Sequence, residues 1–121
     1  MSNNDIHPPA SDELEISIFG SGYGESILLH IGNNQWIIID SCLDNRTGRP
    51  AALVYLNNIG LDVTNAVKVI VATHWHDDHI KGISAICREC RNAKFVIPGA
   101  FKSTDLINLV DFFREKPLAS G

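Results

Sequence analysis

Cysteine, long apolar runs and an excess of positive charge are all scarce in this sequence, and each absence excludes a class of protein. Three cysteines in 121 residues cannot all pair within one chain, which argues against a secreted, disulfide-rich fold. No apolar stretch approaches the roughly 20 residues of a membrane-spanning helix, so no membrane partner is expected. A net charge of −4 gives no overall attraction to nucleic acid or anionic lipid. The polar start lacks the apolar core of a signal peptide, which predicts a cytoplasmic location.

The order of apolar patterns predicts one α/β domain behind a flexible tail. Residues 1–13 are polar and contain two prolines, so we predict a tail there and a domain over 14–121. Apolar alternation or continuous apolar runs predict strands at 14–20, 25–31, 35–41, 66–73 and 93–99. Helical spacing predicts helices at 49–60, 80–92 and 103–116. A strand meander followed by alternating helices and strands is typical of layered α/β folds. The solid apolar run of 35–41 further predicts a strand buried on both faces.

Three of the five histidines crowd into "HWHDDH", residues 74–79, directly after an apolar run. Residues two apart in an extended segment point to the same side, so His74 and His76 are predicted to converge in a loop between strand and helix. Imidazole is the commonest protein ligand for zinc. Asp78 and His79 would face a neighbouring point, and one or two zinc ions would share the pocket. The alternative, a polar loop with Asp77 or Asp78 capping a helix, explains one aspartate but not three histidines.

The stretch "THWHDDH" resembles the metal-binding signature of the metallo-β-lactamase fold superfamily, whose members are mostly zinc-dependent hydrolases. The stretch "GSGYGESILLHIGNNQWIIIDSC" is similar to the opening hairpin of its competence-protein-like branch. The resemblance implies an αββα-type fold in which His74 and His76 bind the first metal and Asp78 and His79 the second. It also implies that Asp78 is catalytic, since it accepts a proton from the reacting water or orients it. Asp40, which ends "WIIID", would orient the ligand loop by hydrogen bonds.

The same resemblance implies a reaction and a class of substrate. Zinc would activate a water molecule to cleave an ester-type bond, with phosphodiesters favoured because the opening hairpin resembles nuclease-type members. The expected partner is therefore a hydrolysable small-molecule or nucleic-acid substrate. The alternative function is a non-catalytic fragment or interaction module.

No histidine follows His79, although the family takes three further metal ligands from later in the chain. We therefore expect the N-terminal half of such a domain, incomplete at its C-terminus and weak or inactive alone. A half-domain would leave one sheet face apolar and uncovered, which predicts self-association or a partner chain at that face.

Four other residues carry predictions that do not depend on the motif. His30 is expected at a strand surface. Cys87 and Cys90 form a C-x-x-C for which helix packing is favoured over redox or zinc chemistry. Cys42 follows Asp40 closely, and a buried structural thiol is favoured over a residue that borders the metal pocket.

Overall fold

The computed structural model describes residues 7–20, 25–73 and 77–97, with side chains except at 77–81. In chain order its elements are β1 (Glu15–Gly20), β2 (Glu25–His30), β3 (Trp36–Ile39), α1 (Ala51–Asn58), α2 (Val63–Ala66), β4 (Val67–Val71), α3 (Asp77–Glu89) and β5 (Lys94–Val96). The strands form one sheet in the order β1-β2-β3-β4-β5. The predicted α/β class is confirmed. The expected helix at 103–116 lies outside the described residues.

The sheet changes direction in its middle. The strands β1, β2 and β3 pair antiparallel, whereas β3, β4 and β5 pair parallel. The β2–β3 turn uses Gly32 at φ 100°, Asn33 at φ 52° and Asn34 at φ 56°, a region that glycine and asparagine tolerate best. Parallel connections are made through α1 and α2 before β4 and through α3 before β5. The carboxyl ends of β3 and β4 therefore lie at one edge of the sheet, where α/β folds place their sites.

The helices pack on one face of the sheet and form the core with it. Helix α1 follows Pro50 and buries Ala52, Leu53, Leu56 and the adjoining Ile59, the stripe expected from their spacing. These side chains join Leu28, Trp36 and Ile38 from the sheet and Ile83, Ile86 and Cys87 from α3. Helix α2 was not predicted, although Asp62 caps it by accepting a hydrogen bond from the Thr64 backbone N–H. None of the helices in the described ranges has the length and apolarity that a bilayer crossing demands.

The opposite face of the sheet carries apolar residues that are only half-buried or exposed. They are Ile16, Ile18, Ile27, Leu29, Ile37, Ile39, Val69, Val71 and Val96, and we call this set the open face. Ile16 is 59% exposed and Ile18 68%. The prediction that the 35–41 strand is buried on both faces is wrong, because Trp36 and Ile38 are fully buried whereas their neighbours on the open face are not.

His30 is also not where the sequence suggested. It is 1% exposed on the helix-covered face, so the prediction of a surface histidine is wrong. Its Nδ1–H donates to the Glu13 carbonyl at 2.7 Å, and its ring lies 4.8 Å from the Trp36 ring. The Asn33 backbone N–H donates to the Ser11 carbonyl at 2.8 Å. Burial of the imidazole is therefore compensated by a partner from the segment preceding β1. The tail boundary at residue 13 stays a prediction.

Candidate metal centre

The chain that leads into the histidine-rich motif leaves the sheet at the edge formed by the carboxyl ends of β3 and β4. Strand β4 ends at Val71, Ala72 and Thr73 follow, and α3 begins at Asp77. His74 and His76 lie outside the described residues, so their predicted convergence stays a prediction. The backbone of Asp78 and His79 is in the first turn of α3. The predicted loop is therefore wrong for residues 77–79, since the helix begins three residues before the expected Ile80. Acidic residues are favoured in a first turn, which explains the early start.

Asp40 connects the end of β3 to the chain that leads into the motif. Its carboxylate accepts a hydrogen bond from the Thr73 backbone N–H at 2.6 Å and another from the Thr73 hydroxyl. Its own backbone N–H donates to the Val71 carbonyl at 2.7 Å. The Ser26 hydroxyl donates to the Asp40 carbonyl at 3.0 Å, which adds β2 to the junction. Three neighbouring strands therefore meet at this one residue.

The backbone of Asp40 is adapted to this junction. Its φ of 58° lies in the left-handed region, which aspartate enters more readily than most residues because its short side chain bonds locally. The residue is 9% exposed, so its hydrogen bonds are little weakened by solvent. A carboxylate that accepts two donors from one threonine fixes both the backbone and the side chain of Thr73. Thr73 directly precedes His74, and Asp40 thus restrains the start of the motif. Its predicted effect on metal ligands stays a prediction.

Cys42 lies at the rim of the same edge. Its thiol is half-buried and lines an open groove of about 330 Å³ together with Phe19 and Asp44. Burial raises the pKa of this thiol, and a hydrogen bond from the Ser26 backbone opposes the rise. Because the Cys42 thiol is half-buried and lies at a groove, Cys42 is better described as a residue that borders a pocket than as a core residue.

Cys87 and Cys90 are core residues. They are 7% and 1% exposed, belong to the hydrophobic cluster and are not disulfide-bonded. Burial raises the pKa of each thiol to about 12. The packing interpretation of this C-x-x-C is therefore confirmed, and both groups are poor nucleophiles and poor metal ligands in the folded state.

Within residues 7–20, 25–73 and 77–97, no three histidine, cysteine, aspartate or glutamate side chains lie close enough together to hold a metal ion. The four predicted ligands lie at positions whose side chains are not described. Their donor set of three imidazoles and one carboxylate matches the nitrogen and oxygen ligands that zinc prefers. In sequence, the first two follow Thr73, which Asp40 restrains, and the other two belong to the first turn of the well-packed helix α3.

One family model and several solved structures are similar to this chain. The family model of the metallo-beta-lactamase superfamily matches residues 20–104. Among solved structures, Rm3 metallo-beta-lactamase is 24% identical with a TM-score of 0.47, over 64% of this chain and 27% of that one. Metallo-beta-lactamase SMB-1 bound to 2-mercaptoethanesulfonate is 26% identical with a TM-score of 0.48, over 74% of this chain and 34% of that one.

The same enzyme in complex with mercaptoacetic acid is 24% identical with a TM-score of 0.49, over 74% of this chain and 34% of that one. The chain thus spans about a third or less of the length of these structures. No curated protein matches the sequence significantly.

Proposed function

Because the chain belongs to the metallo-β-lactamase superfamily, a family of metal-dependent hydrolases, we propose that it is a zinc hydrolase or the N-terminal part of one. The observation that supports this best is the junction at Asp40. A buried carboxylate at the end of β3 accepts two hydrogen bonds from Thr73, the residue directly before His74. A restrained start is what a short ligand loop needs, since loosely held ligands bind a metal weakly.

The proposed ligands are His74 and His76 for a first metal and Asp78 and His79 for a second. The histidines two apart precede α3, and the other pair occupies its first turn. Bound zinc would supply Lewis acidity and lower the pKa of water for attack on an ester-type bond. Within this chain, Asp78 is the proposed proton acceptor or orienting group for the reacting water. Asp40 is the proposed positioning residue, because it acts on the ligand loop through Thr73.

This chain supplies two ligands for each proposed metal, whereas catalytic zinc sites usually have three protein ligands. We therefore propose that the chain alone binds zinc weakly and hydrolyses substrate slowly or not at all. The alternative function is a non-catalytic interaction module, which the small number of ligands favours. The two are distinguished by adding zinc and measuring turnover of a phosphodiester, a carboxylic ester and a β-lactam, each as a chromogenic substrate. Phosphodiester is the favoured class. The cytoplasmic location stays a prediction from the sequence.

Metal analysis after gel filtration tests the ligand assignment. We expect zinc in the wild-type chain that a mild chelator removes, and an affinity at least about tenfold lower in His74→Ala and His76→Ala. His7→Ala is the matched control, because His7 is exposed and distant in sequence from the motif. Equal zinc affinity in wild type and His76→Ala would exclude the proposed site. Two tightly held zinc ions per chain would contradict the proposed weak binding.

The open face supports a second proposal, which concerns partners rather than chemistry. Ile18, Ile27, Ile39, Val71 and Val96 are successive cross-strand partners and form an apolar row across all five strands. Contiguous apolar surface of this kind is typical of interfaces. We propose that a second copy of the chain or a partner chain covers the open face.

A further inference from the structure

Helix α3 touches the end of β3 through a glycine. Gly82 is buried in the second turn of α3, and a Cβ placed on it would lie 2.3 Å from Ser41 Oγ and 3.0 Å from Ser41 Cβ. Ordinary contacts of a Cβ begin at 3.4 Å. Glycine is a weak helix former, so its presence inside a helix calls for a compensating close approach. Here the backbone of α3 lies against Ser41 at a distance that no other residue at position 82 allows.

Ser41 directly follows Asp40, so two adjacent residues contact both sides of the motif. Asp40 holds Thr73, which precedes the histidine pair, by two hydrogen bonds. Ser41 packs against Gly82, one turn after Asp78 and His79. The interval between these two contacts contains all four proposed ligands.

The contact between Ser41 and Gly82 is steric rather than polar. Ser41 is 3% exposed, and its hydroxyl has no hydrogen-bond partner among the described residues. The far end of α3 is held differently, since Arg49 makes an ion pair with Glu89 at 2.8 Å. The Thr64 hydroxyl also donates to the Glu89 carbonyl at 3.3 Å. Close packing at Gly82 is therefore what sets how near the ligand-bearing end of α3 comes to β3.

We propose that the Ser41–Gly82 contact is a positioning element that sets the separation between Thr73 and α3, the two described parts of the chain on either side of the histidine pair in the segment that carries the four proposed ligands. This inference rests on the proposed function, because it takes those four residues as ligands. A methyl group at position 82 would push α3 away from Ser41 by up to about 1 Å. Turning the Ser41 hydroxyl aside would still leave its Cβ too close. Displacements of this size are large for a metal site, whose ligands need placement within about 0.5 Å.

The variants Gly82→Ala, Ser41→Gly and the double variant Ser41→Gly/Gly82→Ala test the contact. Zinc affinity is measured by competition with a chromophoric chelator. The orientation of α3 relative to the sheet is measured in the zinc-free protein by amide residual dipolar couplings. We expect Gly82→Ala to reorient α3 and to weaken zinc binding by about 10- to 100-fold. The double variant should recover the wild-type orientation and most of the affinity, because it removes the two Ser41 atoms that are too close to the new methyl and leaves only an ordinary contact with Leu43.

Glu89→Gln is the matched control on the same helix. It weakens the ion pair with Arg49 at the far end, and it should lower thermal stability while leaving zinc affinity unchanged. If Gly82→Ala does not fold, recovery of folding in the double variant supports the contact, and failure to recover overturns it. Zinc binding that is equal in wild type and Gly82→Ala would overturn the positioning role and leave the proposed function intact. No zinc binding in the wild type would overturn the proposed function and this role together.

Discussion

The two faces of the sheet use their apolar residues in opposite ways. On β1 and β2 the covered face presents Glu15, Ser17, Phe19, Ser26, Leu28 and His30, four of which are polar or charged. The open face of the same two strands presents Ile16, Ile18, Ile27 and Leu29, all of them aliphatic. The face that α1 to α3 cover is thus the less apolar one at this end of the sheet. Burial of apolar surface contributes roughly 25 cal/mol per Å² to stability. The open face therefore has the composition of a surface that is covered by another part of a protein.

The largest expected effect contrasts neighbouring residues of β3. Ile38 is fully buried on the covered face, and Ile37 is half-buried on the open face. We expect Ile38→Ala to lower the free energy of unfolding by about 3 kcal/mol, because it leaves a cavity in the core. Ile37→Ala should cost about 1 kcal/mol in dilute, monomeric protein. Urea unfolding at matched low concentrations measures both. Equal losses would mean that the open face is buried within the monomer.

The reactivity of the thiols should distinguish the two cysteines of the core from Cys42 at the groove. Cys87 and Cys90 are core residues whose pKa burial raises from 9.0 to about 12, whereas Cys42 is half-buried at the groove. We expect Cys42 to be alkylated first under native conditions, with the other two at least about a hundredfold slower. Peptide mass spectrometry against time measures each rate. In Cys42→Ser no fast thiol should remain until urea is added, and a fast phase in that variant would contradict the core assignment.

The contrast between faces also shows where sequence patterns suffice. The strands, the β2–β3 turn and the α1 stripe were predictable because alternation, "GNN" and helical spacing are local signals. The burial of His30 was not predictable, because alternation along a strand separates its two faces but does not show which face the helices cover. Its compensation comes from Glu13, which is 17 residues away along the chain.

In the candidate site, too, the features that depend on local sequence were predictable and the contacts between distant residues were not. The ligand set was readable from the spacing of residues 74–79, and Asp40 from its place at a strand end. The hydrogen bonds from Thr73 to Asp40 join residues that are 33 apart in sequence. The Ser41–Gly82 packing likewise depends on how closely a helix approaches a strand end. A glycine inside a helical pattern was its only local signal.

A smaller effect is expected from replacing exposed apolar residues of the open face by polar ones. Ile16→Thr/Ile18→Thr replaces two exposed side chains of β1 by another β-branched residue, so the strand propensity is retained. We expect self-association to weaken at least about tenfold, because two methyl-rich contacts are lost. Sedimentation across micromolar concentrations measures this. Leu43→Thr is the control, since Leu43 is 48% exposed but lies outside the open face. A wild-type chain that is monomeric and binds no hydrophobic dye would contradict the proposed interface.

The smallest expected effect concerns the bond that joins β1 to the covered face. The Tyr55 hydroxyl of α1 donates to Glu15 Oε1 at 2.6 Å, and the Tyr55 ring lies 5.8 Å from that of Phe19. Burial, and then the hydrogen bond and charge of Glu15, raise the pKa of Tyr55 from 10.0 to about 12. Tyr55→Phe should lower the free energy of unfolding by about 1 kcal/mol at neutral pH.

The pH dependence of that loss has a definite sign. The raised pKa means that folding favours the neutral phenol, so this stabilisation is complete below pH 10.0 and is lost as the pH rises through about 12. The stability difference between wild type and Tyr55→Phe should therefore shrink over this range in urea unfolding. Glu15→Gln keeps an acceptor but removes the charge, so it should lower the pKa of Tyr55 toward 10.0 in a spectrophotometric titration. A difference that stays constant or grows above pH 10.0 would show that the tyrosine hydroxyl is not donating to Glu15 in solution, and that β1 is attached to the helix layer by its apolar contacts alone.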